Sequence, residues 1–227
     1  VKGLWVWRET SINTPQARQE LLTFARTHGF NRLLIQIHRP RTGDVRIGLR
    51  LPAELADLLA SAAQMGITVE ALDGASDMAF AENHQRSLDQ LDAILAFNRS
   101  LPEGKRFVGI HYDIEPYTSA RWKASDENKQ AIMRELLDFY AKARQKLDQD
   151  GTGLLLSSDI PSWYDRNPAL SLEYNGQTKN IHQHIQDVCD YIGIMSYRRH
   201  ALGRNSITEL VKDEMDYGQT IGKPVMP

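Results

Sequence analysis

Three ionisable side chains stand two residues apart in Phe107-Val-Gly-Ile-His-Tyr-Asp-Ile-Glu-Pro-Tyr117: His111, Asp113 and Glu115. Successive strand side chains point to opposite faces, so these three share one face of an extended segment. Val108, Ile110, Tyr112 and Ile114 take the other. Carboxylates are costly to bury and are usually retained for chemistry. Asp113 and Glu115 would lie roughly 6.6 Å apart along the strand. Each discourages ionisation of the other, so one is expected to keep a proton beside an ionised partner, the arrangement that general acid catalysis requires. Glu115, nearer the strand end, takes the acid role. Asp113 orients or stabilises, and His111, deeper still, is placed to hold Asp113. Pro116 cannot donate to a ladder and ends the strand. An edge strand with both acids in water is the alternative, and the apolar flanks argue against it.

These groups must be positioned by the elements around them. Lys2–Arg8 reads as a strand. Thr14-Pro15 supplies an N-cap and a proline at the first helical position, opening a helix to about Thr27 that Gly29 stops. Arg32–Arg39 is a second strand, Pro40–Arg50 a basic loop, and Pro52–Met65 a helix. Ile67–Leu72 is a third strand ending at Asp73-Gly74, and Glu82–Arg99 is a helix with Leu88, Leu91, Ile94 and Leu95 on one face. The His-Asp-Glu strand is fourth. Ser125 caps a helix from Asp126 to about Asp148, and Leu154–Ile160 is a fifth strand. A long polar loop follows, then a short helix near Asn180–Asp187 and a sixth strand, Tyr191–Tyr197. Ser206-Ile-Thr-Glu209 is a capping box for a helix ending at Gly222, and Lys223–Pro227 opens a seventh strand.

Strict strand-then-helix alternation implies parallel strands joined by right-handed crossovers. An open doubly wound sheet and a barrel share that pattern. Polar residues at or near the strand ends (Arg8, His38, Asp73, Glu115, Asp159 and Tyr197) favour the barrel, because an open sheet gathers its ligand groups at one switch point. No Gly-x-Gly-x-x-Gly follows the first strand. The expected fold is therefore α/β, a (β/α)8 TIM-type barrel. A complete barrel takes about 250 residues. Residues 1–227 are thus expected to form a single barrel domain incomplete at the C-terminus, with strands one to about seven present.

Composition narrows the partners. Among 227 residues, a net charge of -2 gives no electrostatic footprint for nucleic acid. No apolar run approaches the roughly 18 residues of a membrane span. The lone Cys189 forms no internal disulfide and reads as a small buried hydrophobe. No cofactor or metal motif is present. The first residue is Val, not Met, and no signal peptide is visible; the compartment stays open, with a lean to the exterior or the cell envelope.

The fourth-strand segment Gly109-Ile-His-Tyr-Asp-Ile-Glu115 resembles the signature of family 18 glycoside hydrolases, the chitinases and endo-N-acetylglucosaminidases, whose pattern is Asp-Gly-x-Asp-x-Asp-x-Glu. Met195-Ser-Tyr197 on the sixth strand resembles their Met-x-Tyr-Asp motif. Val108 and His111 stand where the first two aspartates of the pattern would be, and Arg198 where the aspartate after the tyrosine would be. No counterpart of that family's eighth-strand tryptophan is present. The resemblance implies a glycosidase acting on a polysaccharide or glycan, with Glu115 as general acid/base. It implies Asp113 as the group that positions the substrate's own N-acetyl group and Tyr197 as a hydrogen-bond partner of that acetamide.

Around this centre, His38, His111, Asp159, Trp163, Met195 and Arg198 are expected to contact substrate. Asp159 is the best second carboxylate from another strand. Tyr117, Trp122 and Tyr164 are further ring faces for a sugar, with simple hydrophobic plugs as the alternative. Arg41, Arg46 and Arg50 read as a solvated basic loop more readily than as an anion site. Two other classes compete: a non-catalytic carbohydrate-binding barrel, and a metal-dependent hydrolase drawing on His38, His111, Asp113, Glu115 and Asp159, for which no HxH or HExxH motif speaks.

Overall fold

A computed structural model of the chain describes residues 1–41 and 47–227. Helices alternate with strands throughout. Strands β1 (Gly3–Val6), β2 (Arg32–Gln36), β3 (Thr68–Asp73), β4 (Gly109–Tyr112), β5 (Leu155–Pro161), β8 (Tyr191–Met195) and β9 (Val225–Met226) follow one another in chain order, and β6 (Ser171–Tyr174) and β7 (Gln177–Asn180) form a separate hairpin. The residues group into two compact units.

The first unit comprises residues 1–73, 85–111 and 150–154. Its strands β1 (Gly3–Val6), β2 (Arg32–Gln36) and β3 (Thr68–Asp73) pair in parallel, with Gly3 opposite Arg32 and Arg32 opposite Thr68. Leu33, Leu34 and Ile35 are all buried. Consecutive apolar residues buried on both faces are what a parallel strand packed under helices demands. Helices α1 (Pro15–Thr27) and α2 (Pro52–Gln64) supply Leu22, Ala25, Leu55, Leu58, Leu59 and Ala62 to the core. The Thr14 hydroxyl accepts from the Ala17 amide at 3.1 Å and Pro15 takes the first turn, as expected. Most of α3 (His84–Ser100) lies here as well. Strand β4 (Gly109–Tyr112) is entered beside β3, the Val108 amide donating to the Val69 carbonyl at 2.9 Å. Glu70 is fully buried but ion-paired to Arg32 at 2.9 Å, the condition under which a carboxylate tolerates burial.

The second unit comprises residues 74–84, 112–149 and 155–227. Strands β5 (Leu155–Pro161), β8 (Tyr191–Met195) and β9 (Val225–Met226) are parallel, with Ser157 opposite Tyr191 and Ile192 opposite Val225. Helix α4 (Asp126–Asp150) turns Ile132, Met133, Leu136, Phe139, Tyr140 and Ala143 inward. The Tyr140 hydroxyl and the Ser158 hydroxyl share a 2.6 Å hydrogen bond that ties α4 to β5. Helix α5 (Ile181–Val188) opens with a full capping box from Asn180 and Gln183.

Three local departures from expectation have physical causes. The long polar loop contains a hairpin, β6 (Ser171–Tyr174) and β7 (Gln177–Asn180), turned by Asn175 and Gly176 at φ 50° and 76°. Both turn residues in the left-handed region make the tight reversal that matches strand twist. The helix capped by Ser206 breaks at Val211, giving α6 (Ile207–Leu210) and α7 (Lys212–Ile221). Strand β4 stops at Tyr112: by Glu115 the backbone sits at φ −110°, ψ 68°, and Pro116 opens a short 3-10 turn. Asp113 and Glu115 therefore project from the segment after the strand, not from its paired part.

Candidate active site

Asp113 and Glu115 are both half-buried, between the fully covered Tyr112, Ile114 and Pro116. The alternation expected from sequence thus persists past the end of β4. The turn that follows is fixed by its own hydrogen bonds: the Glu115 carbonyl accepts from the Thr118 amide at 3.1 Å and from the Thr118 hydroxyl at 2.8 Å.

Gly74 fixes the height of the segment. A Cβ placed on it would stand 2.0 Å from the Asp113 carbonyl oxygen and 2.7 Å from its carbon. Only a residue without a side chain lets the Asp113 backbone lie there. Gly74, where the third strand is expected to end, thus packs on the Asp113 backbone.

Two tyrosines face the carboxylates. The Tyr117 hydroxyl is hydrogen-bonded to Glu115, and its pKa is raised by burial first, then by that hydrogen bond and by the charges of Glu115 and Asp113. Tyr197 follows β8 and is 82% exposed as a residue. Its pKa is also raised, by partial desolvation first and then by the negative charges of Asp159, Asp113 and Glu115. Its phenol thus lies in the field of all three carboxylates while its flank stays open to solvent. Asp159 lies inside β5, opposite Gly193, and is buried. Met195, the last residue of β8, is half-buried opposite Pro161.

The aromatic residues divide by exposure. Trp163 is 37% exposed, whereas Trp122 and Tyr164 are buried. Trp163 packs edge-on against Tyr117, Tyr164 and Trp122, with ring centroids at 5.3, 4.9 and 6.3 Å. Trp163 is thus propped by three rings, and Trp122 and Tyr164 act as plugs behind it. The buried Tyr164 hydroxyl makes no hydrogen bond among the described residues, and burial raises its pKa, helped by Tyr117, Glu115 and Asp113.

Arg198 pairs with neither carboxylate. Its Nε donates to the Asn205 side-chain oxygen at 3.0 Å and its Nη1 to the Tyr197 carbonyl at 2.9 Å.

In the first unit, His38 lies just past β2 and is half-buried; its carbonyl accepts from the Arg50 amide at 2.8 Å, and its Nε2 makes no hydrogen bond among the described residues. His111 is fully buried, its ring edge-on to Trp5 at 6.1 Å. Its ring is thus covered within the first unit. Arg39, just before the basic loop, is held by Asp73 at 3.0 Å, and Arg50 of that loop by Glu9 at 2.9 Å. Arg46 lies outside the described residues. Among the described residues no three His, Cys, Asp or Glu side chains cluster so as to hold a metal ion, and no helix is long and apolar enough to cross a membrane.

No family model matches the chain, and no curated protein matches it in sequence. Solved structures do resemble it. The spore cortex-lytic enzyme SleL of Bacillus megaterium aligns over 96% of this chain and 47% of its own, at 17% identity and a TM-score of 0.51. A GH18 chitinase from Cycas revoluta in complex with (GlcNAc)3 aligns over 100% of this chain and 65% of its own, at 15% identity and a TM-score of 0.55. The β-mannanase of the blue mussel Mytilus edulis aligns over 90% and 72%, at 11% identity and a TM-score of 0.60. The chain spans between about half and two thirds of the length of SleL and the chitinases. At these identities the likeness establishes the fold: parallel β/α units of the TIM-type barrel, the architecture of these glycoside hydrolases.

Proposed function

We propose that the chain carries the catalytic centre of a glycoside hydrolase acting on a polysaccharide or glycan. The observation that supports this most is the pair Asp113 and Glu115, half-buried on one side of the segment just past β4, with Tyr117 and Tyr197 in their field. In this reading Glu115 protonates the glycosidic oxygen as its bond to the anomeric carbon breaks. The carbonyl oxygen of the substrate's own N-acetyl group takes up that carbon from the other face, and Asp113 and Tyr197 hold the acetamide in line. Glu115, now a carboxylate, then removes a proton from the water that opens the intermediate. Tyr117, hydrogen-bonded to Glu115, fixes the acid's rotamer. Trp163, with one face toward solvent, is the sugar platform. Met195 and Arg198 complete the substrate contacts.

The test is turnover of N-acetylglucosamine oligomers and of mannose oligomers by the full-length protein, with products resolved by chromatography. Cleavage of the N-acetylated series, with Asp113→Asn harming it more than it harms any plain glycan, supports the substrate-assisted route. Cleavage of plain glycans only, with Asp159→Asn as harmful as Glu115→Gln, replaces it with a two-carboxylate scheme. Binding without turnover of any glycan leaves a carbohydrate-binding barrel instead of an enzyme.

A further inference from the structure

Beyond β8 the chain runs Tyr197-Arg-Arg-His-Ala-Leu-Gly-Arg-Asn205, with three arginines, one histidine and no acidic residue. Every residue from Tyr197 to Asn205 is exposed. The loop is nevertheless built. Arg198 spans it to reach Asn205, and the His200 and Ala201 carbonyls accept from the Ile207 and Thr208 amides at 3.0 and 3.2 Å. The Thr208 hydroxyl adds a 2.7 Å bond to Ala201, and the Asn205 amide donates to Glu209. Gly203 and Asn205, at φ 98° and 56°, make the turn back into α6.

Elsewhere in this unit guanidinium groups have protein partners: Arg121 pairs with Glu135 and Glu82, Arg144 with Asp148 and Asp190, Arg166 with Asp165, and Arg134 donates to the Glu173 carbonyl. Arg199 and Arg204 make no ion pair or side-chain hydrogen bond among the described residues. The loop leaves the end of β8, where Met195 lies opposite Pro161 and Gly193 opposite Asp159 of β5, and its first residue, Tyr197, lies in the field of Asp159, Asp113 and Glu115. Unpaired cations are thus presented beside a negatively charged centre. A neutral glycan offers such cations hydrogen-bond acceptors but no opposite charge. An anionic one would be repelled by the carboxylates unless its charge were captured to one side of them.

We infer that loop 197–205 selects a carboxylate-bearing glycan, with Arg199 and Arg204 taking the sugar's carboxylate and Leu202, 78% exposed, covering an apolar sugar face. This rests on the glycosidase reading and names its substrate class. The planar guanidinium fork matches a carboxylate in two parallel hydrogen bonds. The charge can belong to the ring, as in a uronate, or hang from it, as in a lactyl ether on an amino sugar.

The experiment measures affinity by calorimetry on the Glu115→Gln protein, so that turnover does not interfere. The probes are a neutral N-acetylglucosamine tetramer, a uronate tetramer and a lactyl-ether-bearing amino-sugar tetramer. At least one anionic probe should bind about tenfold or more tightly than the neutral one, the worth of a single charge-assisted hydrogen bond. Which one does so identifies the source of the charge. That preference should shrink in about 1 M salt, where the screening length falls to roughly 3 Å. It should vanish in Arg199→Gln/Arg204→Gln, but persist when the same charge is removed from the exposed Arg26 and Lys105. Equal affinity for all three probes, or a preference that survives the loop variant, overturns the inference and leaves the glycosidase reading standing. Failure to bind any of the three overturns the inference, and the glycosidase reading is then decided by turnover of the mannose oligomers.

Discussion

Replacing Gly74 by alanine tests whether the backbone of Asp113 is positioned by the residue it lies on. The new Cβ would stand 2.0 Å from the Asp113 carbonyl oxygen, where real Cβ contacts essentially never fall below 3.0 Å. The difference is an enforced shift of about 1 Å in a backbone that has no flexible side chain to yield. Gly74 has no positive φ, so alanine meets no conformational penalty of its own; the whole effect is spatial. Overpacking of this kind costs about 1–3 kcal/mol. In a chain of this size that lowers the melting temperature by about 2–4 °C per kcal/mol. The consequence for function is larger, since a 1 Å misplacement of a catalytic group can cost about 10²-fold in rate. Gly218→Ala is the matched control: its Cβ would meet the Lys223 carbonyl and the Val225 side chain at 2.8 Å, in α7 and β9. It should lower stability comparably while leaving turnover per folded molecule unchanged. The assays are calorimetric melting and initial rates of glycan hydrolysis on the same preparations. A Gly74→Ala protein that melts lower yet turns over at the unaltered rate would refute the positioning argument.

Further outcomes follow from other parts of the structure. Glu214 is fully buried with neither carboxylate oxygen hydrogen-bonded among the described residues, and its pKa is pushed up to about 8 by burial first and then by the charges of Asp165 and Asp213. The folded state holds this proton more tightly than the unfolded chain, so stability should fall as pH rises from about 4.5 toward 8, by at most about 1.4 kcal/mol per pH unit. Melting temperatures of Glu214→Gln should lose that slope; an unchanged slope would show that Glu214 is not its source. His182 is buried and its pKa is lowered to about 4 by that burial, so its contribution has the opposite sign and stability should decline as pH falls from about 6.5 toward 4. Melting of His182→Asn against pH should show that acid-side decline reduced. Trp163→Ala should weaken glycan binding roughly tenfold, as loss of one stacked aromatic face would, and should change melting little because Trp122 and Tyr164 remain as plugs. Equal affinity of the variant in calorimetric titration would remove Trp163 from the site.

The sequence made some of this legible for definite reasons. Caps are local chemistry, so Thr14-Pro15, Asn180 and Ser206 mark helix starts that the structure keeps. The period-two face of Asp113 and Glu115 is equally local. The hairpin at Asn175-Gly176 carried its own signal, an Asn-Gly pair between strand-compatible residues, but the polar composition around it reads as loop. Other features depend on tertiary packing. Nothing near Glu214 distinguishes it from the exposed Asp213 or Asp216; its burial comes from elements brought over α7 by the fold. Tyr164 and Trp163 are neighbours in sequence, yet one is a core plug and the other opens to solvent, because which ring turns inward depends on Tyr117 and Trp122. His111 reads as a member of the polar face, but the fold places its ring against Trp5. The tight fit of Gly74 to Asp113 joins residues nearly forty positions apart and has no local trace beyond the glycine itself.

The central claim is that Glu115 is the group that gives and takes the proton. Steady-state hydrolysis of N-acetylglucosamine oligomers by Glu115→Gln, with affinity for the same oligomers measured in parallel, tests it most directly. Glutamine keeps the shape of the side chain but has no acidic proton to give. Turnover should therefore drop by roughly 10² or more while affinity stays within a small factor. A Glu115→Gln protein that hydrolyses these oligomers at the rate of the unaltered protein would contradict the account.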